Sequence, residues 1–291
     1  FFFFQAEDGI RDLTVTGVQT CLFRSPTVQA NGIRVGYEEV GQGEPVLLIP
    51  GTGVDRTLWS LQVSALHRRY RCIAMDNRGV GESDKPPGDY TMRLLAADAA
   101  GLLESLGVAR AHVVGQSLGS AVAQELAIHY PERVHTLSLH GTWARTADAP
   151  YLARLFQVRR DLVRSASWSV YLREGLLWLF TPEYVDAHEA EIALREEMGL
   201  ASPASPEGLL GQYAASLAHD TADRLGEIVA PTLVTVGAED RVTVPAYGRQ
   251  VHERIPGSDF VVFPRLGHLS MVQAPDVFNA TLLDFLGRHP M

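Results

Sequence analysis

The sequence predicts an α/β fold, a mostly parallel central sheet flanked by helices, with a helical segment inserted late in the chain. Three observations carry that reading. From residue 45 onward, short runs apolar on both faces recur, as strands buried between two helix layers require. Between them lie segments with apolar residues at helical spacing. The stretch 144–226 then breaks the alternation, with Leu, Trp, Tyr and Arg at helical spacings and no convincing strand. A chain of 291 residues, 46% hydrophobic and 20% charged, with 26 Gly and 16 Pro, is globular and large enough for one α/β domain with an insertion.

The elements follow in order. Phe1 to Phe4 look like the start of a signal peptide, but Glu7, Asp8, Arg11 and Asp12 break any apolar run. QAEDGIRD followed by VTGVQTC resembles a translated sequencing adapter. Residues 1–25 are therefore expected to be a non-native tail from assembled environmental DNA, with Cys21 outside the fold and the true start near residue 26. Thr27 to Val40 reads as an edge hairpin turning at Asn31-Gly32. The buried strands are Val46–Ile49, Cys72–Met75, a run ending at Val113-Val114, Leu137–His140, Leu233–Val236 and Phe260–Phe263. Met92, Leu95, Ala96, Ala99, Leu102, Leu103 and Leu106 form one face of a helix stopped by Gly107. Leu118–Tyr130 is a second helix, ended by Pro131. Pro275–Arg288 is a third, with Val277, Leu282, Phe285 and Leu286 inward. The domain reading is a core of 26–143 and 227–291 with a helical cap over 144–226. Ala201-Ser202-Pro203-Ala204-Ser205-Pro206 marks a loop inside that cap.

Charge excludes some function classes. Lys+Arg of 25 against Asp+Glu of 34 gives a net charge of −9, without a dense basic run, a poor match to nucleic acid or an anionic membrane. Two cysteines and no C-x-x-C indicate neither a disulfide framework nor a thiolate metal site. The glycines near 51–53 lack the spacing of a dinucleotide fingerprint, so neither cofactor nor metal is expected. Without a credible export signal the expected location is the cytoplasm. The expected partner is a small-molecule substrate, and the sequence sets no oligomeric state.

The residues that carry chemistry centre on Gly115-Gln116-Ser117-Leu118-Gly119, a G-x-S-x-G match. The pentapeptide alone is a weak signal; an ordinary serine in a glycine-rich turn would also produce it. Its setting strengthens it, because it follows the strand Ala111–Val114 and opens a helix of small residues, the strand–turn–helix context of a nucleophile elbow. A serine hydroxyl needs a base, and the base needs an orienting acid. His268, after the last strand and before the last helix, is the candidate base. Asp240, after Leu233–Val236, is the candidate acid, with Glu239 as its competitor. The candidate oxyanion donors are the backbone N–H groups of Leu118 and of Thr52, in Pro50-Gly51-Thr52-Gly53. Trp143, Trp168, Tyr171, Trp178 and Phe180 either wall an acyl pocket or pack the cap, and Arg154, Arg159, Arg160, Asp161 and Arg164 read as a solvated helix face.

These residues resemble the α/β-hydrolase superfamily over about 27–288, in the chain order Ser117…Asp240…His268. Asp76-Asn77-Arg78-Gly79-Val80-Gly81-Glu82-Ser83 is similar to the family's D-x-R-G-x-G-x-S segment. Leu48 to Gly53 resembles its oxyanion loop, with Pro50 where the family usually carries His. Around Phe156-Gln157-Val158-Arg159 and Phe180-Thr181-Pro182 the cap is similar to that of aminoacrylate-hydrolase-like members, near carboxylesterases and enol-lactonases. The resemblance implies a serine hydrolase that cleaves carboxylic esters or lactones through an acyl-enzyme on Ser117. The alternatives are C–N or C–C bond hydrolysis by the same triad, or a non-catalytic binding protein of the same fold. Serine at the elbow, where dehalogenases and epoxide hydrolases of this fold carry Asp, argues against those chemistries.

Overall fold

A computed structural model describes residues 26–202 and 204–291; the tail reading of 1–25, Cys21 included, lies outside them. Eight strands form one sheet: β1 Thr27–Ala30, β2 Ile33–Val40, β3 Glu44–Ile49, β4 Tyr70–Met75, β5 Ala111–Gln116, β6 Val134–His140, β7 Thr232–Gly237 and β8 Asp259–Phe263. Their spatial order is β1-β2-β4-β3-β5-β6-β7-β8. The β1–β2 hairpin and its pairing to β4 are antiparallel, and every pairing from β4 through β3 to β8 is parallel.

Side-chain alternation along the strands divides the core in two. Leu47, Ile49, Ile73, Met75, Val113, Leu137 and Val234 point to one face, where α2 (Met92–Ser105), α3 (Leu118–His129) and α9 (Pro245–Arg254) pack. Val46, Leu48, Cys72, Ala74, Val114 and Leu233 point to the other, against α1 (Ser60–Leu66), α10 (Ser270–Gln273) and α11 (Pro275–Arg288). Both faces are dry, which is why the strand sequences read as continuous apolar runs. β8 departs from that expectation. It ends the sheet, has one fully buried residue, Phe263, and leaves Val262 exposed. The register of α11 is also corrected. Val277 is exposed and Phe278 is buried in its place, because 278, 282 and 285 follow the helical period whereas 277 and 282 do not.

The connection order reverses at β3 and β5: β4 follows β3 to one side and β5 lies on the other. Loops leaving two such strands diverge and open a crevice at their carboxyl ends, where ligands bind in open α/β sheets. Pro50–Gly53 and Ser117 leave the sheet at that point.

Between β6 and β7 the described residues form five α-helices, α4 Pro150–Ser165, α5 Trp168–Leu179, α6 Pro182–Ala187, α7 Glu189–Ala201 and α8 Pro206–Ala218, followed by a 3-10 turn at Leu225–Glu227. The two ends of this segment are stapled together. Thr146 N–H donates to His219 O (3.0 Å), and Thr221 N–H donates to Ala144 O (2.8 Å). No helix among the described residues is long and apolar enough to cross a membrane.

Candidate active site

β5 ends at Gln116 and α3 begins at Leu118, so Ser117 alone must reverse the chain. It does so at φ +54° and ψ −121°, a region that costs a non-glycine residue about 1–3 kcal/mol. The flanking glycines make the turn possible. A Cβ on Gly115 would sit 2.2 Å from Gly119 O, and one on Gly119 would sit 2.1 Å from Ile49 O. Backbone bonds hold the strained residue: Ser117 N–H donates to His140 O (2.9 Å), and Ser120 N–H donates to Ser117 O (2.8 Å). The Ser117 side chain does not cap α3; it faces a cleft.

Asp240 and His268 meet beneath that cleft. His268 Nδ1–H donates to Asp240 Oδ2 at 2.8 Å, with both side chains buried. Asp240 also accepts from the N–H groups of Val242 (2.8 Å) and Thr243 (2.9 Å) and from Thr243 Oγ1 (2.9 Å). Burial alone would raise this carboxyl, but the His268 ring and the Thr243 donors hold it below the ordinary carboxylate range. Glu239, the competing acid, is exposed, and the bond to His268 is made by Asp240.

Two further contacts surround His268 that no sequence pattern marks. Its Nε2 accepts from the Gln116 amide at 3.0 Å; Ser117 shares the cleft with His268 but does not hydrogen-bond to it. Below His268, buried His140 donates from Nε2 to His268 O (3.2 Å) and accepts on Nδ1 from Thr235 Oγ1 (2.9 Å). Burial, reinforced by the neighbouring His268, pushes the His140 imidazole down to about 4, so it is neutral at pH 7 and braces the loop without adding charge.

The Pro50–Gly53 loop is fixed from two sides. Asn77 Nδ2 donates to Pro50 O (2.8 Å). Gln212 on α8 accepts from Gly53 N–H (2.8 Å) and donates to Arg78 O (2.8 Å). Gly53 N–H is thus engaged, whereas Thr52 N–H and Leu118 N–H meet no acceptor among the described residues. Arg78 is itself anchored by paired bonds to buried Asp98 (2.8 and 2.6 Å), which also accepts from Asn31 Nδ2 (2.7 Å). No sequence pattern marks Gln212, since its partners lie 159 and 134 residues away.

The cleft, about 610 Å³ counted to its open mouth, takes Thr52, Gln116, Ser117 and His268 from the sheet edge and Leu155, Phe156, Arg159, Trp178 and Tyr213 from the inserted helices. Of the five aromatic residues considered for its wall, Trp178 alone lines it. Trp143 and Phe180 are core residues, Tyr171 hydrogen-bonds to Tyr213 Oη (2.7 Å), and Trp168 stacks on Tyr171. Arg159 is likewise not on a solvated face: its side chain is 14% exposed and turned inward.

The family model for the alpha/beta hydrolase fold matches residues 44–275. The chain is an alpha/beta hydrolase. Among its relatives, this hydrolase is 34% identical over 252 residues to the Azorhizobium caulinodans protein named "Putative carbamate hydrolase RutD", covering 86% of this chain and 94% of that one. Among solved structures, it superposes on a thermophilic esterase from Thermogutta terrifontis with a TM-score of 0.83 and 31% identity, over 92% of this chain and 100% of the other. It also superposes on the enol-lactonase of Burkholderia xenovorans LB400 with a TM-score of 0.82 and 28% identity, over 90% and 100% of the two chains.

Proposed function

We propose that this hydrolase cleaves carboxylic esters or lactones of small to medium substrates through an acyl-enzyme on Ser117. The observation that carries the reading is the pairing of a strained serine, its side chain turned into the cleft, with an imidazole whose far nitrogen is bonded at 2.8 Å to a buried carboxylate. The Asp240 bond places the His268 proton on Nδ1 and leaves the Nε2 lone pair toward the cleft. The Gln116 amide holds that lone pair at rest, so turnover begins when the amide yields Nε2 to the serine. His268 then takes the Ser117 proton as Oγ bonds to the carbonyl carbon. The oxyanion receives the Thr52 and Leu118 N–H groups, reinforced by the amino end of α3. Collapse breaks the bond to the leaving oxygen, which takes the proton from Nε2, and water repeats the cycle to release the acid.

A second reading keeps the same steps and changes the leaving group to nitrogen. It is favoured by the carbamate-hydrolase name of relatives such as the Azorhizobium protein. Both are tested by proton release in a pH-stat against short and medium esters, simple lactones and a β-diketone, and by amine release from an N-alkyl carbamate, whose hydrolysis to amine and bicarbonate yields no net proton, with Ser117→Ala alongside. Turnover of esters or lactones that vanishes in Ser117→Ala supports the proposal. Turnover confined to the carbamate moves the second reading ahead, and wild-type rates in Ser117→Ala overturn the serine mechanism.

A further inference from the structure

We propose that the substrate carries, besides the bond cleaved at Ser117, an anionic group, a carboxylate, that docks on Arg159 across the cleft. The inference rests on the reading of Ser117 as nucleophile and names the substrate class of that same site.

Arg159 lies seven, four and three residues after Leu152, Leu155 and Phe156, on the stripe of α4 that faces inward. Of the other cations of this helix, Arg154 is exposed, Arg160 pairs with Asp89 and Arg164 pairs with Asp161. A guanidinium among apolar residues is costly unless its donors are engaged. Two of the three nitrogens are engaged: Nε donates to Tyr213 Oη (2.9 Å) and Nη1 pairs with Glu174. The Tyr171 ring covers one face, 4.2 Å from Cζ. Nη2 has no acceptor among the described residues, yet it is not sealed from solvent. It lies against Gly175, another cleft-lining residue, where an added Cβ would come within 3.0 Å of it.

Charge in the cleft points the same way. Among the described residues no carboxylate lines it, and Arg159 is the one lining residue with a permanent charge. Tyr213, its neighbour there, is kept neutral because burial holds its hydroxyl well above the ordinary value. Glu174 lies outside the lining and is more exposed than Arg159 (27% against 14%), so water screens the anion more than the cation. In a chain of net charge −9, an anionic substrate meets attraction here rather than repulsion. A planar guanidinium with a free nitrogen suits a carboxylate in a way that a hydrophobic wall does not.

The test compares monomethyl succinate, glutarate and adipate with methyl butyrate, valerate and hexanoate in a pH-stat. A charge-assisted hydrogen bond should favour the half-ester about 10- to 100-fold in kcat/KM at the best chain length, mainly through KM. Arg159→Gln should bring that ratio close to one, and Arg159→Lys should restore part of it. Glu174→Gln, which frees the guanidinium from its counter-charge, should raise the ratio; a purely structural ion pair predicts no such rise, and this variant keeps the test sharp if Arg159→Gln fails to fold. Neutral esters preferred at every length, or a ratio indifferent to both substitutions, overturns the proposal. Calorimetry of glutarate binding to Ser117→Ala separates it from the serine reading. Binding lost on adding Arg159→Gln supports carboxylate docking even if Ser117 is not the nucleophile, and no binding at millimolar glutarate counts against docking alone.

Discussion

The floor and the roof of the cleft are built on different principles. The floor comes from chain ends at the carboxyl edge of the sheet: Thr52 after β3, Ser117 after β5, Asp240 after β7 and His268 after β8. Each position is dictated by a strand the core cannot do without, so the geometry is as rigid as the sheet. The roof is assembled from faces of separate helices, Arg159 on α4, Tyr171 and Glu174 on α5, and Tyr213 on α8, joined to one another by side chains. A floor of this kind can hold one reaction unchanged while the roof is free to set which molecules reach it. The contrast is testable: floor variants should slow every substrate alike, and roof variants should change ratios between substrates.

The largest effect expected is that of Ser117→Ala, a loss of about 10⁶ in kcat, equal for esters, half-esters and lactones. Asp240→Asn follows, with a fall of about 10⁴, because an amide in the carboxylate's place favours the wrong imidazole tautomer. Steady-state kinetics on the same panel checks both. Unequal losses across the panel would break the contrast.

Gln212 sharpens it from the other side. It belongs to α8 in the roof, but its amide clamps Gly53 and Arg78 in the floor. Gln212→Ala should therefore behave as a floor variant, lowering kcat by about 10- to 100-fold for every substrate as the Thr52 N–H drifts from its aim. A changed substrate ratio with unchanged kcat would place Gln212 with Arg159 instead.

The same difference decides what the sequence reveals. Ser117, Asp240 and His268 can be picked out because each follows an apolar run at a position tied to strand order, and the glycines at 115 and 119 report a close approach that no other residue allows. The buried strands, the edge hairpin and the helices after β4 and β5 are legible for the same reason, since burial on one or both faces writes its period into the chain. Arg159 is not. Its position on α4 is compatible with a solvated charge or an inward one, and the choice depends on Tyr213, 54 residues on, and Glu174, 15 residues on. Gln116 carries no such mark, because a carboxamide beside Ser117 has no periodic signature; only folding brings it to His268. Val277 failed for a smaller reason, a one-residue error of helical phase.

Two buried histidines, one from each region, supply the smallest predicted effect. His140 lies under the floor; His219 caps the carboxyl end of α8 where the insertion rejoins the core, donating to Trp143 O at 3.1 Å. Burial drives both imidazoles down to about 4, while the unfolded chain titrates near the ordinary 6.5. The stabilising contribution of each is therefore complete above pH 6.5. It is lost as pH falls toward 4, because the unfolded chain accepts a proton that the folded protein refuses. Urea unfolding between pH 7 and 5 should show the loss, with a slope of up to about 1.4 kcal/mol per pH unit from each histidine. His219→Gln and His140→Gln should each flatten that slope by one histidine's share. Only His140→Gln should also slow turnover, by about three- to tenfold on all substrates, since its Nε2–H braces the His268 carbonyl. An unchanged slope in both variants would mean that these rings are protonated in the folded state, and that charge, rather than a neutral brace, sits beneath His268.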